Sequence, residues 1–257
     1  MPTEINARMQ RNIFQKHPNN RYMLIYNKRI DNKLYVYIHI PKNSGKFIRN
    51  QIFKDKKNKV VISLWGVDSI HNIDLAHTPY IKSMQFLENT KCINKHCNFI
   101  ANMKRKWLFC CNSCINGTHG PFCGKLNPSK IDFTNCIYYS FSRNPYDRII
   151  SAFFYIKEEE KKVATIAEFR EFCKRTLPTF VFDFSYNANY IHYYPQYMFL
   201  CDENFQISNV KVEKLESSLK PTKYDLKKYF DNECISIINT IYEKDFILLN
   251  YDRIDPF

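Results

Sequence analysis

Apolar positions along the chain fall into two kinds of stretch. Short runs of β-branched and aromatic residues, 34–40 (L-Y-V-Y-I-H-I), 60–64 and 136–141 (C-I-Y-Y-S-F), have the length and composition of buried strands. Longer segments with apolar residues three and four apart predict amphipathic helices: Phe47, Ile48, Ile52 and Phe53; Ile81, Met84 and Leu87; and Ile149, Ile150, Ala152, Phe153 and Ile156 along 146–161. Further helices are expected over 163–177, closed by Pro178, and over 223–230 and 233–246, with a last short strand at 210–212. Residues 1–30 read as an irregular lead-in with one apolar island at 22–26, while 65–74 and most of 180–197 read as loop. Strands alternating with helices predict an α/β fold, three-layered around a central parallel sheet. Residues 88–132 lose this periodicity and gather cysteines, so they read as a Cys-rich insertion within one domain covering 1–257.

Two of the strand-to-helix junctions carry cations. At the first, Pro41 stops the strand, Asn43, Ser44 and Gly45 supply turn chemistry, and Lys42 and Lys46 sit on the turn. At the second, Arg143 follows the strand, Asn144 is a good N-cap, and Pro145 suits the first helical position. A helix N-terminus next to a cation is a setting for phosphate or sulfate, because backbone N–H groups and the helix dipole favour an anion there. In an α/β sheet such junctions collect at the carboxyl ends of the strands, which is where ligands bind. A guanidinium fork matches a phosphate better than a lysine does, and Ser151 would add a hydroxyl from the following helix.

Composition narrows the partners without choosing one. The formal net charge of +13 favours anions: nucleotides, nucleic acid, acidic glycans or anionic lipid. A hydrophobic fraction of 45% excludes disorder as the default. No run approaches the ~18 apolar residues of a membrane span, so no transmembrane segment is expected. The first residues hold no apolar signal core, and the expectation is a soluble, cytoplasmic protein. In that setting the 10 cysteines point to thiols and metal before disulfides. Cys111 and Cys114 form a C-x-x-C pair that Cys92 and Cys97 would complete as a tetrahedral structural zinc site, with His96, His119 and Cys123 as competing ligands; free thiols or disulfides are the alternative. N-S-G-K invites a magnesium-NTPase reading, which needs an early glycine and a Ser or Thr after the lysine. This chain has Lys42 and Phe47 at those places, so that reading fails.

H-I-P-K-N-S-G-K resembles the 5′-phosphosulfate loop of sulfotransferases, commonly P-K-T/S-G/A-G/S-T/S, and R-N-P-Y-D-R-I-I-S-A-F resembles their 3′-phosphate motif, R-N/D-P-Y/F-D/E-R-x-x-S-x-Y/F. A-H-T-P-Y-I-K-S, I-H-Y-Y-P-Q-Y, K-V-E-K-L-E and I-Y-E-K-D-F-I-L-L-N-Y are similar, in the same order, to later segments of the carbohydrate sulfotransferases. The resemblance covers roughly 34–87 and 133–251. It implies a P-loop-like fold that binds 3′-phosphoadenosine 5′-phosphosulfate (PAPS) and moves its sulfuryl group to an acceptor hydroxyl, expected on a glycan. Lys42 would then neutralise the bridging oxygen, backbone N–H groups of Asn43, Ser44, Gly45, Lys46 and Phe47 would hold the 5′-phosphate, and Arg143 with Ser151 the 3′-phosphate. His77 aligns with a histidine that acts as general base in some of these enzymes; His192 and Gln196 are candidates for the acceptor side, and His39 is expected to be structural.

One departure from the pattern matters. Lys46 stands where the family places a Ser or Thr hydroxyl. That favours an alternative in which a degenerate sulfotransferase fold binds an anionic ligand without turnover. A third reading, a zinc-stabilised nucleic-acid binder, would centre on 92–123 and its basic-aromatic run Lys104, Arg105, Lys106 and Trp107. The ordered motifs elsewhere argue against nucleic acid as the main partner.

Overall fold

Three parallel strands carry the architecture. The structure is a computed structural model that describes residues 23–28, 33–64, 67–68, 73–74, 77–83, 136–187, 189–207, 209–219 and 223–256. In chain order these form β1 (Met23–Lys28), β2 (Lys33–Tyr37), α1 (Gly45–Lys54), β3 (Asn58–Leu64) and the short pair β4 (Val67–Asp68) and β5 (Ile73–Asp74). Then follow β6 (Ile137–Ser142), α2 (Pro145–Glu159), α3 (Ile166–Glu171), α4 (Gln196–Leu200), β7 (Val210–Lys214), α5 (Leu215–Ser218), α6 (Leu226–Tyr229), α7 (Asn232–Ile241) and α8 (Glu243–Leu248). The expected Cys-rich insertion at 88–132 lies outside the described residues.

The sheet is mixed, in the order β3-β1-β2-β6-β7. β2, β6 and β7 run parallel, with Tyr35 opposite Ile137 and Tyr138 opposite Val210. β1 is antiparallel to both β2 and β3. Residues 23–26 of the apolar island, expected inside an irregular lead-in, therefore belong to a strand, β1. Pairing with β2 on one side and β3 on the other satisfies its backbone groups, and those partners lie outside its own sequence.

Alternation along β2 and β6 sends side chains to both faces. Val36, Ile38, Ile40 and Tyr138 pack with Ile191, Tyr194, Met198, Phe199 and Leu200. On the other face Tyr37 packs with Ile48 and Ile52 of α1 and with Leu215, flanked by Tyr139 and Phe141. Each such apolar side chain contributes about 1.5–3 kcal/mol on burial. A further core joins Ile149, Ile150 and Phe153 of α2 to Phe169, Phe230, Ile235, Ile238 and Phe246.

Two helical expectations need correction. The helix foreseen over 163–177 is α3 followed by a π-turn (Phe172–Thr176) and a 3-10 turn (Leu177–Thr179). Pro178 lacks an N–H to donate and so tightens the end of the run. The helix foreseen over 233–246 is interrupted at Tyr242 and becomes α7 and α8. Within the expected aromatic loop, Ile191–Tyr193 forms a 3-10 turn and α4 begins at Gln196.

Candidate functional site

Each parallel strand delivers polar residues to the same end of the sheet. Beyond β2 the chain stays extended through Ile40, helped by the Ile38 N–H donating to Tyr139 O at 2.9 Å and the Ser140 hydroxyl donating to Ile38 O at 2.7 Å. It then turns sharply, with Lys42 at φ 70° and Ser44 at φ 56°, left-handed positions that non-glycine residues adopt at a cost of about 1–2 kcal/mol each. α1 starts at Gly45 with no side chain among the described residues capping it, which leaves its first-turn N–H groups open to an anion. Gly45 itself is required by close approach, because a Cβ there would overlap the His39 ring, lying 2.8 Å from Nε2.

The second loop follows β6. Asn144 caps α2, accepting from the N–H of Tyr146 at 3.0 Å and of Asp147 at 3.5 Å, with Pro145 in the first turn as the sequence predicts. Arg143 Nη1 donates to Lys42 O at 3.1 Å, joining positions 101 residues apart. The third parallel strand, β7, runs straight into α5, which supplies Glu216. Its carboxylate accepts from Asn144 N at 2.8 Å and from the Tyr251 hydroxyl at 2.9 Å, and that hydroxyl lies 3.1 Å from Ser142 Oγ.

Gln196, a candidate for the acceptor side or for ordering the aromatic loop, staples the first two loops together. It is wholly buried. Its Oε1 accepts from Asn43 Nδ2 at 2.8 Å and from Arg143 N at 2.9 Å, while its Nε2 donates to Arg143 O at 2.7 Å. Asn43 Nδ2 also donates to Phe141 O at 2.6 Å, so the Asn43 side chain locks the loop onto β6. Asp245 from α8 in turn accepts from the N–H groups of Gln196 and Tyr197, each at 2.8 Å, capping α4; burial lifts its carboxyl to about 6 against the pull of Arg148.

Around Lys42 the structure gathers an aromatic column. Its ammonium lies 3.7 Å from the Tyr155 ring centroid. Tyr155 stacks on His192 at 5.3 Å, His192 meets His77 edge-on at 4.9 Å, and His77 lies 5.4 Å from His39. Lys42, His77 and His192 are thus brought together. Burial, reinforced by Arg143, pulls the Lys42 ammonium down to about 8, with Glu158 and Glu159 opposing. Burial also holds His39 and His192 well below the ordinary imidazole range, helped for His39 by Arg49 and for His192 by His77. The Nδ1 of His192 has no hydrogen-bond partner among the described residues.

Comparison with protein-family models, with curated proteins and with solved structures yields no match. The site is therefore read from its own chemistry.

The remaining expected residues are placed as follows. Ser151 is half-buried on α2, between Arg148 and Tyr155 at helical spacing. Lys46 and Phe47 are exposed on the first turn of α1, and Ser44 is half-buried. The four cysteines considered for zinc, Cys92, Cys97, Cys111 and Cys114, lie outside the described residues; among the described ones no group of His, Cys, Asp or Glu is arranged for a metal.

Several site residues escape the motif reading. Arg148 is almost wholly buried and donates from Nε to Pro41 O at 3.0 Å and from Nη2 to His192 O at 3.2 Å, bracing the loop against the 3-10 turn. It is the second arginine of R-N-P-Y-D-R, and its place in that motif is the one signal for it. Glu216 and Asp245 likewise fall inside the quoted segments K-V-E-K-L-E and I-Y-E-K-D-F-I-L-L-N-Y, whereas Arg49 and Tyr155 lie outside every quoted motif and their roles depend on partners distant in the chain.

Proposed function

We propose that the chain is a PAPS-dependent sulfotransferase of the carbohydrate type, with a P-loop-like nucleotide site. The observation that carries this is the Arg143–Lys42 contact. It sets two cation-bearing helix N-termini side by side at the carboxyl ends of adjacent parallel strands. A ligand with two separated anionic groups suits this arrangement. Positive charge concentrates there in Lys42, Arg143, Arg148 and Arg49, so the site is poised for an anion.

In this reading Arg143 and Ser151 hold the 3′-phosphate, and the N–H groups of 43–47 hold the 5′-phosphate. The acceptor hydroxyl loses its proton to His77 as its oxygen bonds to sulfur. The bond from sulfur to the 5′-phosphate oxygen breaks, and Lys42 neutralises the charge that develops on that oxygen. Such a transfer depends on positioning and charge stabilisation and requires no metal. General-base help from a histidine is typically worth ~10²–10⁴-fold. The acceptor is a hydroxyl compound, with glycans first in line.

The test is binding of the product nucleotide PAP followed by turnover. Millimolar PAP is expected to raise the melting temperature, Arg143→Ala to abolish that shift, and labelled sulfate to pass from PAPS to a member of a glycan, tyrosyl-peptide and alcohol panel, with Lys42→Ala inactive. No stabilisation by PAP sinks the reading. A second reading, a binding module without turnover, is favoured by the exposed Lys46 on the first turn of α1, where the family has a hydroxyl. Stabilisation by PAP without label transfer to any acceptor would select it.

A further inference from the structure

Among the described residues no carboxylate pairs with Lys42; an aromatic face holds it. Its ammonium is 3.7 Å from the Tyr155 centroid, well inside the ~6 Å range of a cation–π contact. Tyr155 stacks on His192 with an interplanar angle of 18°, and His192 packs at 68° against His77. All of this hangs from α2, the helix that begins beside Arg143, with Arg148, Ser151 and Tyr155 along one stripe.

We propose that Tyr155 is a positioning residue of the transfer site, holding Lys42 as an ammonium over its ring face and, through His192, fixing the orientation of His77. For the reaction this rests on the sulfotransferase reading above; the geometry stands without it. A ring face attracts a cation without carrying a countercharge. A carboxylate in the same place would also hold Lys42, but it would repel the anionic donor. The ring therefore resolves a conflict between keeping the lysine charged and keeping the site attractive to sulfate and phosphate.

The groups facing Lys42 define what the ring must work against. Arg143 from the end of β6 pushes the ammonium toward its neutral form, as does burial; Glu158 and Glu159 on α2 pull the other way. His39 beyond β2 and His192 from the 3-10 turn also feel its charge, and both are held neutral by burial. Removing the ring takes away a stabiliser of the charged form. The Lys42 midpoint must then fall, and any activity that needs the ammonium must be lost at lower pH.

The experiment reads the protonation of Lys42 directly, as the pH dependence of its labelling by an amine-reactive reagent, located by peptide mass spectrometry on the full chain. Wild type and Tyr155→Phe are expected to share a midpoint near 8. Tyr155→Leu and Tyr155→Met are expected to lower it by roughly half to one pH unit, the size of a partly desolvated cation–π contact. Where turnover is found, kcat in the ringless variants should drop by less than about twofold at pH 7 and by about three- to tenfold above pH 8, as its alkaline limb moves down, with Tyr155→Phe retaining the wild-type profile. Melting curves show which ringless variant is folded, and Tyr155→Met, whose longer unbranched side chain adapts to the gap, is read if Tyr155→Leu melts early. An unchanged Lys42 midpoint in a folded ringless variant overturns the proposal. Failure of every acceptor would count against the reaction instead, leaving the labelling midpoint to decide the role of Tyr155.

Discussion

Gln196 shows how much one buried side chain holds. Three hydrogen bonds leave its amide, two of them to the backbone of Arg143 and one to Asn43. Gln196→Leu fills similar volume but strands the buried N–H and carbonyl of Arg143 and removes one of the two bonds donated by the Asn43 amide. Each orphaned group costs about 1–3 kcal/mol, so denaturant unfolding should show a loss of roughly 3–5 kcal/mol and the PAP-induced shift should weaken. Gly45 is the steric counterpart. Gly45→Ala presses a methyl into the His39 ring. His39 is itself buried among Tyr37, Arg49 and His77, so it has little room to yield. A destabilisation of about 1–3 kcal/mol in thermal melts is expected.

At the scale of elements, α2 is the piece on which the site is hung. Its N-cap sets where Arg143 leaves the sheet, its buried first turns carry Arg148, and its outer turns bring Tyr155 over Lys42. Asn144→Ala removes both cap bonds while leaving Pro145 to start the helix. The expected cost is about 1 kcal/mol in stability, with a larger proportional loss of PAP affinity, because the guanidinium direction is set by the turn that is loosened. An equal and small effect on both quantities would assign Asn144 to helix stability alone. Local chemistry of this kind was readable from the chain: strand, turn residues, N-cap and Pro145 lie within a few positions of one another. The π-turn after α3 and the break at Tyr242 were not, since both answer to packing against other elements.

For the whole molecule, charge placement and stability oppose each other. Lys42 titrates near 8 when folded, below the usual 10.5, so the folded chain binds fewer protons than the unfolded one between those values. Stability from this group therefore rises as pH climbs through 8 toward 10, and at pH 7 burying the ammonium destabilises the fold by on the order of 3 kcal/mol. Lys42→Met should melt higher than wild type at pH 7, by about 1–2 kcal/mol once the lost Tyr155 contact is set against the relief. The gap should narrow by pH 10, and the variant should no longer respond to PAP. A Lys42→Met protein no more stable than wild type at pH 7 would remove the idea that this site trades stability for anion binding.

Short-range patterning was enough to establish the two cation-bearing junctions, the cap on α2, most strands and the α/β alternation, because each depends on residues within a few positions. It did not reveal the strand at 23–28, whose backbone is satisfied by β2 and β3 rather than by its own sequence. Nor did it reveal that Gln196 is a staple, or that His39, His77, His192 and Tyr155 form one column beside Lys42. Those meetings join residues from different elements, many of them far apart in the chain. Strand order and register decide them, and no local period encodes either.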